Sequence, residues 1–176
     1  MFDFRTISID KIKNYFMKTF THNDSAFIEE VISQCDICFA AVVDENGRPY
    51  SVPMNFGYHE GIFYLHSAPE GRIVRALEEN NHICLTFNVG QDLAFQHPKV
   101  ACSYRMKAKS VVAEGKVTFV EEMGAKRLAL DYIMKQYSDK HFEYSDPAVK
   151  NVKIWQIDVD NIACKEFGAP HDAYKK

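Results

Sequence analysis

Residues 37–67 have the sequence ICFAAVVDENGRPYSVPMNFGYHEGIFYLHS, in which three apolar segments are separated by two turns. The first segment, Ile37–Val43, is a short continuous apolar run, as in a buried strand. The turn Asp44-Glu45-Asn46-Gly47 follows it, and Asn-Gly is the strongest short-range signal for a β-hairpin. In the second segment, residues 50–57, every other residue is a large apolar one, so that Tyr50, Val52, Met54 and Phe56 share one face. A turn at 59–61 then leads into the third segment, residues 62–66. These patterns predict three consecutive antiparallel strands.

The rest of the chain adds strands and peripheral helices. Further strands are predicted at 83–89, from Ser103 or Lys107 to Val120, and at 152–159, with a polar loop at 91–99. Apolar residues three and four positions apart predict a helix at 8–20, and the polar cluster at 21–25 ends it and caps a second, short helix that continues to about residue 34. The segment Pro69–Arg72 opens a third helix that continues to about Glu79, and a fourth is predicted at 121–137. The last of these helices is expected to turn inward Ala125, Leu128, Tyr132 and Ile133. Six strands joined mostly by hairpins predict a mainly β fold, an antiparallel six-stranded barrel that is closed or half-closed.

The chain has 176 residues, and 21 Lys+Arg against 24 Asp+Glu give a formal net charge of −3. This length predicts one domain with a sizeable core. Within it we expect an N-terminal helical segment at 1–34, the barrel with its helices at 35–168 and a tail at 169–176. The 47% apolar and 26% charged residues exclude a disordered chain. The mild negative charge argues against a general nucleic-acid-binding protein.

The apolar runs and the cysteines bear on the compartment. The longest uninterrupted apolar run, Ile37–Val43, is far shorter than the ~20 residues that a membrane helix needs. No secretory signal is apparent, and five cysteines form no dense framework. We therefore expect a cytoplasmic protein without a membrane partner. Cys35 and Cys38 form a C-x-x-C pair, but Cys38 begins an apolar run, which favours buried core cysteines over a redox or zinc pair.

One segment has the chemistry of a phosphate site. His66-Ser67-Ala68-Pro69-Glu70-Gly71-Arg72 joins a strand end to a helix start, where free N–H groups attract anions. Ser67 adds a hydroxyl, Gly71 permits close backbone approach and Arg72 adds a charged fork. The alternative is simple helix capping with a solvated Arg72. His66, taken alone, is more often a satisfied polar group than a catalyst.

A second candidate is the cationic face that Arg105, Lys107 and Lys109 share if their segment is a strand. The alternative to an anion site is that these residues only protect an edge strand from aggregation. The chain has no H-E-x-x-H, G-x-S-x-G, G-x-G-x-x-G or P-loop motif, so we expect no metal site and none of the enzyme classes that those motifs mark. Trp155, within an apolar strand, is by base rate a core residue.

Together these segments resemble a known family. Residues 40–72 and 101–122 are similar to the pyridoxamine 5'-phosphate oxidase-like FMN-binding split barrels, and within them to the nitroimidazole-resistance branch. The resemblance extends from about Cys35 to Gly168. Its distinctive parts are VPMNFGY at 52–58, HSAPEGR at 66–72 and KSVVAEG at 109–115, in that order and at that spacing.

The resemblance implies a split barrel that forms a homodimer with two FMN molecules at the subunit interface. It places the backbone of Pro53, Met54 and Asn55 along the isoalloxazine ring and the FMN phosphate at Ser67, Gly71 and Arg72. It also places His66 beside the flavin as the catalytic residue. The remaining cofactor contacts that it implies are Ala68, Lys109, Ser110 and, from the partner subunit, Trp155. Ile73 stands where relatives have a second basic residue, so phosphate binding is expected to rely on Arg72 with Arg75 or on the face of Arg105–Lys109. The arginine-rich signature strand of the oxidases is absent, and Val112 stands where a basic residue is expected, which argues against true pyridoxamine phosphate oxidation.

The leading hypothesis is an FMN-dependent oxidoreductase that passes electrons from reduced flavin to a small flat acceptor such as a nitroimidazole or another nitroaromatic. Aromatic rings are expected to wall its pocket, among them Phe56, Tyr58, Phe95 and Tyr104. The alternative is a non-catalytic flavin- or haem-binding storage or sensor protein, with His66 as the axial ligand of a haem. A third hypothesis is a dimeric interaction module that binds no cofactor.

Overall fold

The computed structural model describes residues 19–95 and 97–168. The strands are β1 (Thr19–His22), β2 (Cys38–Val43), β3 (Pro49–Met54), β4 (Gly57–His59), β5 (Ile62–Ser67), β6 (His82–Ala94), β7 (Arg105–Val120) and β8 (Lys153–Phe167). The helices are α1 (Ser25–Ser33), α2 (Arg72–Glu79), α3 (Met123–Lys135) and α4 (Asp146–Lys150), with a 3-10 turn at Ala101–Ser103. Most of the helix predicted at 8–20, and the tail at 169–176, lie outside the described residues.

The strands form one antiparallel sheet in the order β3-β2-β6-β7-β8-β5-β4, and β1 pairs with the far end of β8. The predicted fold class, a mainly β antiparallel split barrel, is confirmed. The described sheet has eight strands rather than six, because Thr19–His22 and Gly57–His59 are additional short strands. Thr19 and Phe20 were expected to end a helix and instead pair with β8. β3 and β4 lie at the two ends of the strand order, and the ladder does not close between them.

β7 and β8 are the longest strands and pair along most of their length, from Ala108↔Phe167 to Val120↔Ile154. The register shifts once, because Glu114 pairs with Asn161 while Gly115 pairs with Val159. A Cβ on Gly115 would lie 2.2 Å from the carbonyl oxygen of Asp158, so only glycine permits this close approach. The irregularity divides β8 into a half that pairs with β5 and a half that pairs with β1. A bulge of this kind bends a sheet and increases its twist.

The core lies inside the curved sheet and is rich in aromatic rings. Phe63 and Phe87 stack with their centroids 5.0 Å apart, and Phe56 meets Phe87 edge-on at 4.8 Å. Ile28, Val31 and Ile32 of α1 join this core. Cys35 and Cys38 are also buried, and burial raises the pKa of the Cys38 thiol to about 12, so the pair packs as core side chains.

Two segments differ from the sequence expectation. β6 continues to Ala94 through a register shift between Val89 and Asp92, where a loop was expected from residue 91. Gly90, with φ of +71°, adopts the left-handed conformation at this point and lets the polar continuation pair again. In α3 the buried residues are Lys126, Ala129 and Ile133, while Leu128 is 51% exposed and Ala125 is also exposed. The predicted inward face was therefore wrong at both of these positions.

α3 packs directly on β4 because Gly57 has no side chain. A Cβ on Gly57 would lie 2.5 Å from the backbone nitrogen of Ile133 and 2.6 Å from the carbonyl oxygen of Tyr132. At its end the helix is followed by Tyr137, whose hydroxyl accepts from the N–H of Phe56 at 2.9 Å and donates to the carbonyl of Asp36 at 3.0 Å. These contacts fix the backbone at residues 55–57, which matters for the site described below.

We predict that Gly57→Ala lowers the free energy of unfolding by about 1–3 kcal/mol, because α3 must shift away from β4 to admit the methyl group. Urea denaturation measures the change. Gly124→Ala is the matched control, since the atoms nearest to its new Cβ belong to the flexible Glu122 carboxylate. Equal stabilities of the two variants would contradict the proposed close packing.

Candidate functional site

An open cleft lies where the edge strand β3 approaches the end of β5. It has a volume of about 340 Å³ and is lined by Val52, Pro53, Met54, Asn55, His66, Ser67 and Ile73. Five of the residues predicted for cofactor binding therefore meet in one place, from segments that do not pair with each other in the sheet. One wall is the backbone of β3, whose outer N–H and C=O groups pair with no other strand of the described residues. The cleft thus offers polar backbone groups beside apolar side chains.

His66 lies at the end of β5 and its side chain is exposed. The protein atoms around the ring disfavour the charged imidazolium, so desolvation lowers the pKa of His66 from its ordinary value of 6.5. At neutral pH the imidazole is therefore uncharged, with one nitrogen able to donate a hydrogen bond and the other able to accept one. Such a group can orient a polar ligand or stabilise developing charge.

The turn after His66 leads into α2, and no side chain of this turn caps the first N–H groups of the helix. The hydroxyl of Ser67 donates to the carbonyl of Ala68 at 2.7 Å. Gly71 has φ of +152°, a conformation that residues with a Cβ rarely adopt, and it precedes α2 without any side-chain cap on the first N–H groups. These N–H groups and the positive end of the helix dipole favour an anion here.

Arg72, the first residue of α2, is held by the hairpin between β2 and β3. Its Nε and Nη2 donate to Oδ2 of Asp44 at 3.1 and 2.6 Å, and its guanidinium lies 4.1 Å above the ring centroid of Tyr50. The Asp44 side chain is only 3% exposed, whereas Arg72 retains 41%. The N–H of Arg48 and then the Arg72 guanidinium hold the pKa of the Asp44 carboxyl below its ordinary value. The sequence predicted Asp44 only as a turn residue, so its contact with Arg72 was missed.

This geometry fits a phosphorylated planar cofactor. The cleft between β3 and β5 offers backbone and apolar surface for a ring, and the uncapped helix start with Arg72 offers donors for a phosphate. Residues 25–165 match the family described as pyridoxamine 5'-phosphate oxidase. The chain belongs to this family. It is a flavin-binding family, so a flavin is the cofactor that the family implies.

Solved structures of pyridoxamine 5'-phosphate oxidase-like proteins agree with this assignment. A candidate 5-nitroimidazole antibiotic resistance protein from Bacteroides thetaiotaomicron VPI-5482 is 48% identical, with a TM-score of 0.79 over 87% of this chain and 90% of that one. This similarity supports the nitroimidazole-resistance branch.

Two more distant structures share the fold. They are the flavocytochrome Anf3 from Azotobacter vinelandii (17% identity, TM-score 0.73, 89% of this chain and 76% of that one) and an FAD and heme binding protein from Mycobacterium smegmatis (15%, 0.76, 86% and 76%). No curated protein matches the sequence.

Three of the residues that the family resemblance implied lie away from the cleft. Lys109 is directed towards α1, with its ammonium 4.7 Å from the ring centroid of Phe27 and 3.8 Å from a Glu30 carboxylate oxygen. Ser110 is the next residue of the same strand and faces the opposite side of the sheet. Trp155 is 0% exposed, which confirms the core position predicted from its apolar strand and leaves its side chain no surface for the cofactor contact that the resemblance implied. Its aromatic ring fills the barrel instead.

The predicted cationic face also has acidic neighbours. The ammonium of Lys107 lies 4.0 Å from the Asp92 carboxylate, and that of Lys109 lies 3.8 Å from the Glu30 carboxylate. Two of the three positive charges on this face are therefore partly balanced. The expected pocket walls need correction as well, because Phe56 is wholly buried and Tyr58 donates to Glu29. Phe95 and Tyr104 are exposed and stack on each other beyond the β6–β7 pairing.

No helix in the described part of the chain combines the length and the apolar character needed to cross a bilayer.

We predict that the His66 imidazole titrates with a midpoint below about 6.5, because its desolvation disfavours the charged form. Proton NMR of the imidazole resonances measures the midpoint, and His66→Gln identifies the signal by removing it. Since the pKa is lower in the folded state, protonation of His66 favours unfolding as the pH falls below about 6.5. The stability lost between pH 7 and pH 5 should therefore be smaller in His66→Gln, and an equal loss would contradict the prediction.

Proposed function

We propose that the protein is an FMN-dependent oxidoreductase that transfers electrons to a small flat acceptor such as a nitroimidazole or another nitroaromatic. The observation that carries this proposal is the cleft in which Pro53–Asn55 face His66 and Ser67 beside the open start of α2. The flavin supplies the redox chemistry when it is bound, and the protein supplies binding, orientation and electrostatics. FMN is preferred to a larger flavin because one phosphate satisfies the helix start and Arg72.

Each part of the cleft has a distinct task in this proposal. The unpaired backbone groups of β3 bind the polar edge of the ring without any titratable side chain. Pro53 and Met54 provide apolar surface, which excludes water from one face of the ring. The N–H groups at the start of α2 and Arg72 bind the phosphate, with Ala68 and Gly71 shaping the turn. The Ser67 hydroxyl adds a further donor when it exchanges its bond to the Ala68 carbonyl for one to the phosphate. Ile73 lines the cleft as an apolar side chain in place of a second cation.

His66 is the proposed catalytic residue because it is exposed in the cleft and uncharged at neutral pH. A neutral imidazole donates a hydrogen bond to a nitro oxygen of the acceptor and stabilises negative charge that develops there. A nitroimidazole is flat and electron-poor, and it therefore suits stacking in an open cleft with apolar walls. The lack of an overlying lid in the described chain leaves the acceptor side of the cleft open.

The proposed assembly is a homodimer with the cofactor at the subunit interface. Phe39 is 45% exposed on the outer face of the sheet, and it is the cross-strand neighbour of Pro53 in the cleft wall. Val43 is 50% exposed on the same strand face. An apolar surface of this kind that adjoins a binding cleft is typical of a subunit interface. Ser110, on the outer side of β7, would contact the cofactor from the partner subunit, whereas nothing in the packing of Lys109 supports such a contact.

The spectrum of the purified protein tests the cofactor. We expect visible flavin absorbance, or its appearance on titration with FMN, and bleaching by NADH or NADPH without oxygen. Addition of a nitroimidazole should then restore the absorbance and consume the nitro compound. His66→Asn should retain FMN but reduce the rate of nitro reduction by about 10²-fold, as for loss of one positioned donor.

The outcomes of this experiment separate the hypotheses. Absence of flavin absorbance together with failure to bind added FMN would refute the proposal. A Soret band would instead support haem, for which the accessible neutral imidazole of His66 is the favourable ligand form. Bound flavin without nitro reduction would support the storage or sensor function. Tight binding of FAD with weak FMN binding would contradict the choice of cofactor.

We predict that the protein sediments as a dimer and that Phe39→Asp shifts it towards the monomer, because a buried charge in an apolar interface is costly. Analytical ultracentrifugation over a range of concentrations measures the change. Leu128→Asp is the matched control, since Leu128 is equally exposed but lies on α3. Equal effects of the two substitutions would assign no special role to the Phe39 face.

A further inference from the structure

The β2–β3 turn contains a buried carboxylate whose two oxygens have separate tasks. Oδ1 of Asp44 accepts from the N–H groups of Asn46 and Arg48, both at 2.9 Å, and these bonds hold the turn. Among the described residues, Oδ2 accepts from Arg72 alone, through Nε at 3.1 Å and Nη2 at 2.6 Å. Asp44 therefore connects the hairpin to the first residue of α2, where the proposed phosphate site begins.

The contacts on Arg72 restrict its guanidinium in two directions. Asp44 binds the Nε–Nη2 edge, and the Tyr50 ring covers one face at 4.1 Å. Nη1 takes no part in either contact with Asp44, and 41% of the Arg72 side chain remains exposed. An arginine that is fixed along one edge and one face presents its remaining donors in a defined orientation. The loss of side-chain freedom that normally accompanies arginine binding has then already occurred.

We propose that Asp44 is a positioning residue that orients Arg72 to bind the phosphate of the flavin. This inference rests on the proposed function, because it assigns Arg72 to the phosphate. The opposite interpretation is that Asp44 acts as an internal anion, occupies Arg72 and competes with the phosphate. The two interpretations predict changes of opposite sign when the carboxylate charge is removed.

Asp44→Asn separates the two tasks of this side chain. The asparagine oxygen still accepts from the N–H groups of the turn, while its amide nitrogen replaces the oxygen that faces Arg72 and cannot accept a hydrogen bond. Asp92→Asn is the matched control, because it removes the same charge from an exposed carboxylate 4.0 Å from Lys107. Both variants are compared with the wild-type protein in binding to FMN and to riboflavin, which lacks the phosphate.

For Asp44→Asn we expect the Kd for FMN to rise by on the order of tenfold while the Kd for riboflavin stays unchanged. In the ratio of the two Kd values, any loss of affinity that affects both flavins equally cancels. Asp92→Asn should leave both Kd values as in the wild type. In an Arg72→Ala background, Asp44→Asn should cause no further loss of FMN affinity, because its effect passes through the arginine.

The contrary outcomes are equally specific. Tighter FMN binding by Asp44→Asn would establish competition, and equal losses for FMN and riboflavin would reduce Asp44 to a structural role. An unchanged FMN affinity would also overturn the proposal. If Asp44→Asn does not fold, Tyr50→Leu tests the same orientation from the other side and should weaken FMN but not riboflavin. Failure of the wild-type protein to bind either flavin would refute the proposed function itself.

Discussion

The pairing of β7 with β8, and its single irregularity at Gly115, is the constraint on which the rest of the structure depends. Since β8 pairs with β5 before the register shift and with β1 after it, this strand connects both halves of the molecule. The shift requires backbone contact between residue 115 and Asp158, which no side chain would permit. The resulting bend curves the sheet, so that β3 and β5, which do not pair with each other, border one cleft. The site is thus a consequence of incomplete closure.

Incomplete closure also explains the chemical character of the cleft. An edge strand normally has unpaired N–H and C=O groups that promote association with another chain. In β3, Pro53 removes one donor, and the other groups line a cleft in place of a further strand. The wall is kept in position from behind by the Tyr137 hydroxyl, which bonds to the Phe56 N–H next to Asn55. A ligand that completes the hydrogen bonds of this edge therefore replaces the strand that is missing from the ladder.

The sequence predicted those features that depend on local chemistry. Turn residues and alternating apolar positions located β2, β3 and β5 to within one or two residues, and the segments at 53–55 and 66–67 do meet in the cleft. Prediction failed where packing between distant segments determines which residues are buried and how far a strand extends. In α3 the long stem of Lys126 packs inside and its ammonium donates to the carbonyl of Val152, while Leu128 is exposed. β6 extends through polar residues because its partner β7 continues beside it. Trp155 matched a family position and is nevertheless enclosed by the core.

Asp44 shows why charge counted along the chain is a poor guide to this site. Within a chain of net charge −3, the cationic candidates Arg72, Arg105, Lys107 and Lys109 suggest a local excess of positive charge that attracts phosphate. In the folded protein Arg72 is already paired with a nearly buried carboxylate, so long-range attraction between this pair and an anion is weak. In the proposed site, recognition of a phosphate then depends on short-range hydrogen bonds from the oriented guanidinium and from the N–H groups at the start of α2. Ile73 lines the cleft and adds no cation, so the proposed affinity rests on the geometry of these donors and not on the number of positive charges.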